Sequence, residues 1–197
     1  MGQQVIELNC PGCNARITTG QKECEWCHKP VVISTFNSVY SMPMPEVNKY
    51  VGSYKKTLTE HPENADINKS IAMCYLKLKK YDDALRFFEK AIEENFDDSE
   101  SYFYAAMCVL GGKKAFLNQR PTIDKALENI NAAIMIEPKG IYYYYLAYIK
   151  YDYFERKHFR TDPHYTQCMQ MAIDAGLSEY DIEQVYAILG VARPECL

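Results

Sequence analysis

Four cysteines near the N-terminus, in Cys10-Pro-Gly-Cys13 and Cys24-Glu-Trp-Cys27, constrain this chain more than any other feature. Two C-x-x-C pairs around a short spacer put two thiolates on each of two tight turns, and the second pair closes a tetrahedral shell suited to one zinc ion. Pro11 and Gly12 supply the turn chemistry of the first pair. A shell of four thiolates leaves no open position for water or substrate, so such a zinc is structural and not catalytic. Other readings account for less. Cys24-Glu-Trp-Cys27-His28 matches a haem attachment pattern but leaves Cys10 and Cys13 unexplained, and a thioredoxin-type pair needs a βαβ setting that the flanks lack. With four sulfurs in place, His28 is expected beside the site rather than in it.

The runs Val5–Leu8, Arg16–Gly20 and Val31–Ile33 have short-strand character. Small strands carrying two such turns resemble a zinc ribbon, which sets a first domain at residues 1–35. A module of that size cannot fold on its hydrophobic core alone, and metal binding supplies the missing free energy. Its charges balance, with Arg16, Lys22 and Lys29 against Glu7, Glu23 and Glu25, and the whole chain carries a net charge of -4. That composition argues against nucleic acid as the main partner. Trp26, the sole tryptophan, is expected to cover the ribbon's own small core. The N-terminus shows no basic segment followed by an apolar run, and the greasiest stretch, Ile141–Ile149, is short and rich in Tyr. The expectation is a cytoplasmic protein without membrane insertion. With no export signal, the remaining cysteines, Cys74, Cys108, Cys168 and Cys196, are not expected to form a disulfide framework.

Residues 36–45 mix Ser, Pro and isolated apolar residues and read as a linker docked through Phe36 and Tyr40. From residue 46 to 197 the apolar spacing becomes helical. Ile71, Ala72 and Tyr75 fall on one helix and Ala84, Phe88 and Ala91 on the next, with Lys79–Asp83 as the turn. Tyr102, Ala105, Ala106 and Val109 repeat the first helix, and Ala126, Ile130, Ala133 and Pro138 the second, with an insertion at 111–121 between them. These residues resemble the tetratricopeptide repeat, in which small residues let paired helices approach and rings fill the space between pairs. A looser third copy starts at Ile141, with Asp162 as cap and Pro163 in the first turn of its second helix. Val47–Leu58 fits half a repeat, and Ser178–Leu189 fits a terminal capping helix opened by a Ser–Asp capping pair. The fold class is therefore mainly α: an array of helical hairpins behind a small β zinc ribbon.

The helical part carries no phosphate loop, nucleophile elbow or H-E-x-x-H pattern, and no enzyme activity is expected. The cluster His158–His164 reads as a solvated loop with a helix cap. The resemblance implies instead a concave groove that holds a protein or peptide segment. By position it would be lined by Lys69, Met73, Leu76 and Lys77, then Phe103, Met107 and Leu110, then Tyr145 and Tyr148. Met and Tyr give an adaptable surface of large contact area. The ribbon, the linker or a second copy of the chain, as in a homo-oligomer, are alternative occupants of the same groove. The function expected is a protein-interaction adaptor or scaffold with one structural zinc. A nucleic-acid-associated regulator and a redox- or zinc-responsive sensor are the alternatives.

Overall fold

A computed structural model describes residues 5–197. Residues 1–4, which carry part of the N-terminal reading, lie outside the described residues. The chain forms two compact units, one ending at Phe96 and the other running Asp97–Leu197. The ribbon and linker residues are packed within the first unit together with its helices.

In that unit β1 (Glu7–Asn9) pairs antiparallel with β2 (Arg16–Thr18), Leu8 facing Ile17. Helix α1 (Phe36–Tyr40) follows, then α2 (Met44–Glu60), α3 (Ala65–Lys77) and α4 (Tyr81–Glu94). Pro43 and Pro45 end α1 and start α2, with Pro45 in the first turn, where a missing N–H breaks no helical bond. The Asn64 side chain accepts from the Ile67 amide and opens α3. Helices α3 and α4 form a hairpin closed by fully buried Ala72, Ala84 and Phe88, with Tyr75 stacked on Phe87 at 5.7 Å between centroids. Helices α1 and α2 both pack on α3. Phe36 and Val39 are buried as α1 docks, whereas Tyr40 points outward under the Lys77 ammonium, so Val39 takes the docking role expected of Tyr40.

The ribbon is keyed to α2 and α3 by hydrogen bonds to its main chain. The Tyr50 hydroxyl donates to the Pro30 carbonyl at 3.0 Å and the Tyr54 hydroxyl to the Val31 carbonyl at 2.9 Å. The Ile33 amide donates to Ser70 Oγ at 2.9 Å, and Ser53 donates to the Asn9 carbonyl at 3.0 Å. Val31 and Ile33 are fully buried at this seam. Burial holds the Tyr54 phenol well above its ordinary range, so it remains a neutral donor. Replacing Ser70 by Ala removes the acceptor of a buried N–H and is expected to cost about 1–3 kcal/mol, read from denaturant midpoints at constant m-value.

The second unit contains α5 (Ser99–Val109), α6 (Arg120–Ile136), α7 (Gly140–Ile149), α8 (Tyr165–Asp174) and α9 (Glu179–Leu189). Helices α5 and α6 form one hairpin, α7 and α8 another, and α9 packs on α5 and α7 as a terminal cap. Ser178 and Asp181 form the expected capping box of α9. The insertion between α5 and α6 folds as a 3-10 turn at Ala115–Leu117, whose Phe116 amide donates to the buried Asp152 carboxylate at 2.8 Å. Asp152 lies in a π-helical turn at Lys150–Phe154 and also pairs with Arg156. That widened turn ends α7 earlier than the apolar run through Phe154 suggests. The cap of α8 is His164, whose ring accepts from the Thr166 amide while Gln167 reaches back to the His164 amide; Asp162, expected in this role, lies outside the helix.

Candidate metal centre and repeat surface

The two cysteine turns are built alike. In the first, the Asn14 amide donates to the Cys10 carbonyl at 2.9 Å and the Cys10 amide to the Ala15 carbonyl at 2.8 Å. In the second, the His28 amide donates to the Cys24 carbonyl at 2.8 Å and the Cys24 amide to the Lys29 carbonyl at 2.9 Å. Asn14 and His28 occupy the same left-handed position, at φ 66° and 55°. His28 therefore reverses the chain after Cys27, as Asn14 does after Cys13.

These turns converge. The ligand sulfurs of Cys10, Cys13, Cys24 and Cys27 all lie within 4.8 Å of one another. Cys10 Sγ is 3.6 Å from Cys27 Sγ, and Cys13 Sγ is 3.6 Å from Cys24 Sγ. Disulfide sulfurs stand about 2.0 Å apart, whereas a tetrahedron with metal–sulfur arms of about 2.3 Å has edges of roughly 3.8 Å. The spacing fits four thiolates around one metal ion. Desolvation raises the Cys24 thiol, but hydrogen bonds from the amides of Trp26 and Cys27, together with those of the Cys10 and Cys13 side chains, outweigh it and leave it at about 7. Burial pushes Cys27 up to about 12 and Cys10 above its ordinary value. Binding of a metal ion to four thiolates releases the protons that the free thiols carry.

Gly12 sits at a close approach: a Cβ there would stand 3.0 Å from Cys27 Sγ and 2.9 Å from the flexible Lys29 side chain at Cδ. Gly12→Ala is expected to weaken metal binding by at least tenfold in a chelator competition, because the Cys27 ligand sulfur must give way to admit the methyl group. His28→Ala is expected to retain a full complement of metal by mass spectrometry; loss of the metal would make His28 a ligand. Trp26 does not cover the ribbon core, being 76% exposed. Leu8, Ile17, Val31 and Ile33 are buried, whereas Trp26 stands in solvent.

The residues expected to line a groove are mostly interior. Met73, Leu76, Phe103, Met107, Leu110, Tyr145 and Tyr148 are all buried. Phe103 packs on Tyr142 and Tyr145, with ring centroids 4.8 and 5.9 Å away. Tyr145 donates to the Ala106 carbonyl at 2.9 Å, and Tyr148 accepts from the Ala115 amide at 3.3 Å. Helix register cannot separate a Met or Tyr that faces a groove from one that fills the core, and here core packing takes them. Only Lys69 and Lys77 are half-buried, and Lys77 donates to the Tyr40 carbonyl. Cys74, Cys108 and Cys168 are buried packing residues, and burial pushes Cys74 up to about 12, which keeps it a thiol.

The helical hairpins have a sequence counterpart. Residues 52–106 match the tetratricopeptide repeat family model. The matched tetratricopeptide segment runs from the middle of α2 to α5 and includes the whole α3–α4 hairpin, and it supports a protein-interaction role. No curated protein matches the chain. Among the described residues, no helix is long and apolar enough to cross a membrane.

Proposed function

We propose that the chain is a non-enzymatic, cytoplasmic protein-interaction adaptor in which Cys10, Cys13, Cys24 and Cys27 hold one structural zinc. The tetratricopeptide match over 52–106 carries the interaction reading, since this repeat builds surfaces and not reaction centres. The four converging sulfurs support zinc, which tolerates a closed tetrahedral thiolate shell and, when bound, contributes folding free energy. The protein's own residues then do the rest. Tyr50, Tyr54 and Ser70 transmit the order of the ribbon to α2 and α3.

The test is crosslinked affinity capture from native lysate with the metal-loaded chain, beside a Cys10→Ser/Cys13→Ser variant. A discrete protein recovered in near-stoichiometric amount by the loaded chain is the expected result. Recovery of nucleic acid in its place, lost steeply as salt is raised, would overturn the reading.

A further inference from the structure

A cleft of about 700 Å³ in the first unit lies between β1, the first cysteine turn and the face of α2 that carries Lys49, Gly52 and Lys56. Three features of its lining point to the same kind of occupant. One is main chain. The Thr19 amide donates to the Ile6 carbonyl and the Cys10 amide to the Ala15 carbonyl, so residues 6, 8 and 10 face β2. By strand alternation Glu7 and Asn9 turn their N–H and C=O groups to the opposite edge. Ser53 of α2 holds the Asn9 carbonyl, which shows that this edge looks across the cleft. Among the described residues, the N–H and C=O of Glu7 have no main-chain partner, an open pair of the sort that a further strand takes up.

A second feature is Gly52 itself. It sits in the interior of α2, where Gly weakens a helix relative to Ala. Among the described residues a Cβ there would meet nothing within 4 Å, and the backbone is ordinary helix, so neither crowding by them nor backbone conformation calls for Gly. Its absent side chain lets something outside the chain approach the helix. Charge is the third feature. Lys49 and Lys56 stand one turn before and one turn after Gly52 on the same face, and Arg16 also lines the cleft. None of these three cations has an ion-pair partner among the described residues. The acids of the lining are Glu7 and Glu60, and Glu60 lies a further turn along α2 beyond Lys56.

We infer that this cleft receives an extended peptide segment of a partner protein, its main chain added to the edge of β1 at Glu7 and an acidic side chain set over Gly52 between Lys49 and Lys56. The inference rests on the protein-interaction reading above and gives that reading its site. The main chain supplies affinity independent of sequence, and the lysine pair selects for Asp or Glu.

The experiment uses the full metal-loaded chain on an array of random-sequence decapeptides, beside Gly52→Tyr and Lys49→Ala/Lys56→Ala. Bound peptides are expected to be enriched in Asp and Glu. Gly52→Tyr should lower their binding at least tenfold while melting no lower than the parent, because it replaces a helix-interior glycine with a side chain that has room. The lysine variant should weaken the same peptides and flatten their salt dependence, and binding should slow hydrogen exchange at the Glu7 amide. Undiminished binding to both variants overturns the inference and leaves the interaction reading standing, with its site elsewhere. Capture of no peptide by the intact chain overturns the inference too, and recovery of a partner from native lysate then decides separately whether the interaction reading survives.

Discussion

Removing the metal, by a strong chelator or by Cys10→Ser with Cys13→Ser, is expected to unfold α2 and α3 together with the ribbon, not to fray the N-terminus alone. The reason is the seam. Without an ordered ribbon, the buried hydroxyls of Tyr50 and Tyr54 and the Ser70 side chain lose the main-chain partners at Pro30, Val31 and Ile33. Each buried polar group left unpaired costs about 1–3 kcal/mol, and Val31, Ile33 and the apolar face of α2 lose their cover as well. Structural zinc contributes about 10–16 kcal/mol of apparent free energy, comparable to the whole stability of an ordinary domain at about 5–15 kcal/mol. Limited proteolysis read by mass spectrometry checks this. Cleavage after Lys49, Lys55 and Lys56 in α2 should appear only when the metal is removed, and its continued absence in the metal-free chain would show that the helices stand without the ribbon.

A second large effect is expected in the other unit from the smallest possible substitution. A Cβ added at Gly140, the first residue of α7, would stand 2.6 Å from the Leu177 amide nitrogen, 2.9 Å from the Ala172 carbonyl oxygen and 2.9 Å from Leu177 Cα. All three atoms are main chain, and the Leu177 amide donates to the Ala172 carbonyl at 3.0 Å in the turn that closes α8. No side-chain rotation relieves the contact, so α7 must move away from the end of α8 or the turn must open. Overpacking of this kind costs about 3 kcal/mol at the upper end of its usual range. For a unit of this size that corresponds to a fall in melting temperature of about 10–20 °C. Gly140→Ala should show it by calorimetry, with Gly176→Ala as a useful contrast. Gly176, at φ +80°, has nothing within 4 Å of its Cβ position, so its cost is conformational and not steric. Equal melting of Gly140→Ala and the parent would mean that α7 and α8 are held less closely than the structure shows.

The sequence made local features legible and left long-range ones hidden. The cysteine turns could be read because their chemistry repeats at fixed spacing, and the geometry adds that Asn14 and His28 share one backbone role. The helical hairpins could be read because Ala72, Ala84, Ala126 and Ala133 recur at the intervals that close helix packing needs. The docking of the ribbon could not, since it depends on Tyr50, Tyr54 and Ser70 meeting carbonyls and amides far along the chain, and no local pattern marks a tyrosine as such a donor. The groove residues failed for a related reason. Met73, Met107 and Tyr145 have the right register and an apolar character that suits a groove and a core equally. Gly52 was an available signal, because a glycine inside an amphipathic helix asks for an explanation that the periodicity alone does not give.

The central claim is a closed four-sulfur centre that orders the N-terminal ribbon against the repeat. X-ray absorption at the zinc edge of the purified chain tests it most directly. The account predicts one zinc per chain with four sulfur neighbours at about 2.3 Å and no nitrogen or oxygen in the coordination shell. A shell containing a nitrogen or a water oxygen would reopen a ligand role for His28 or an exchangeable position at the metal, and would contradict a purely structural centre.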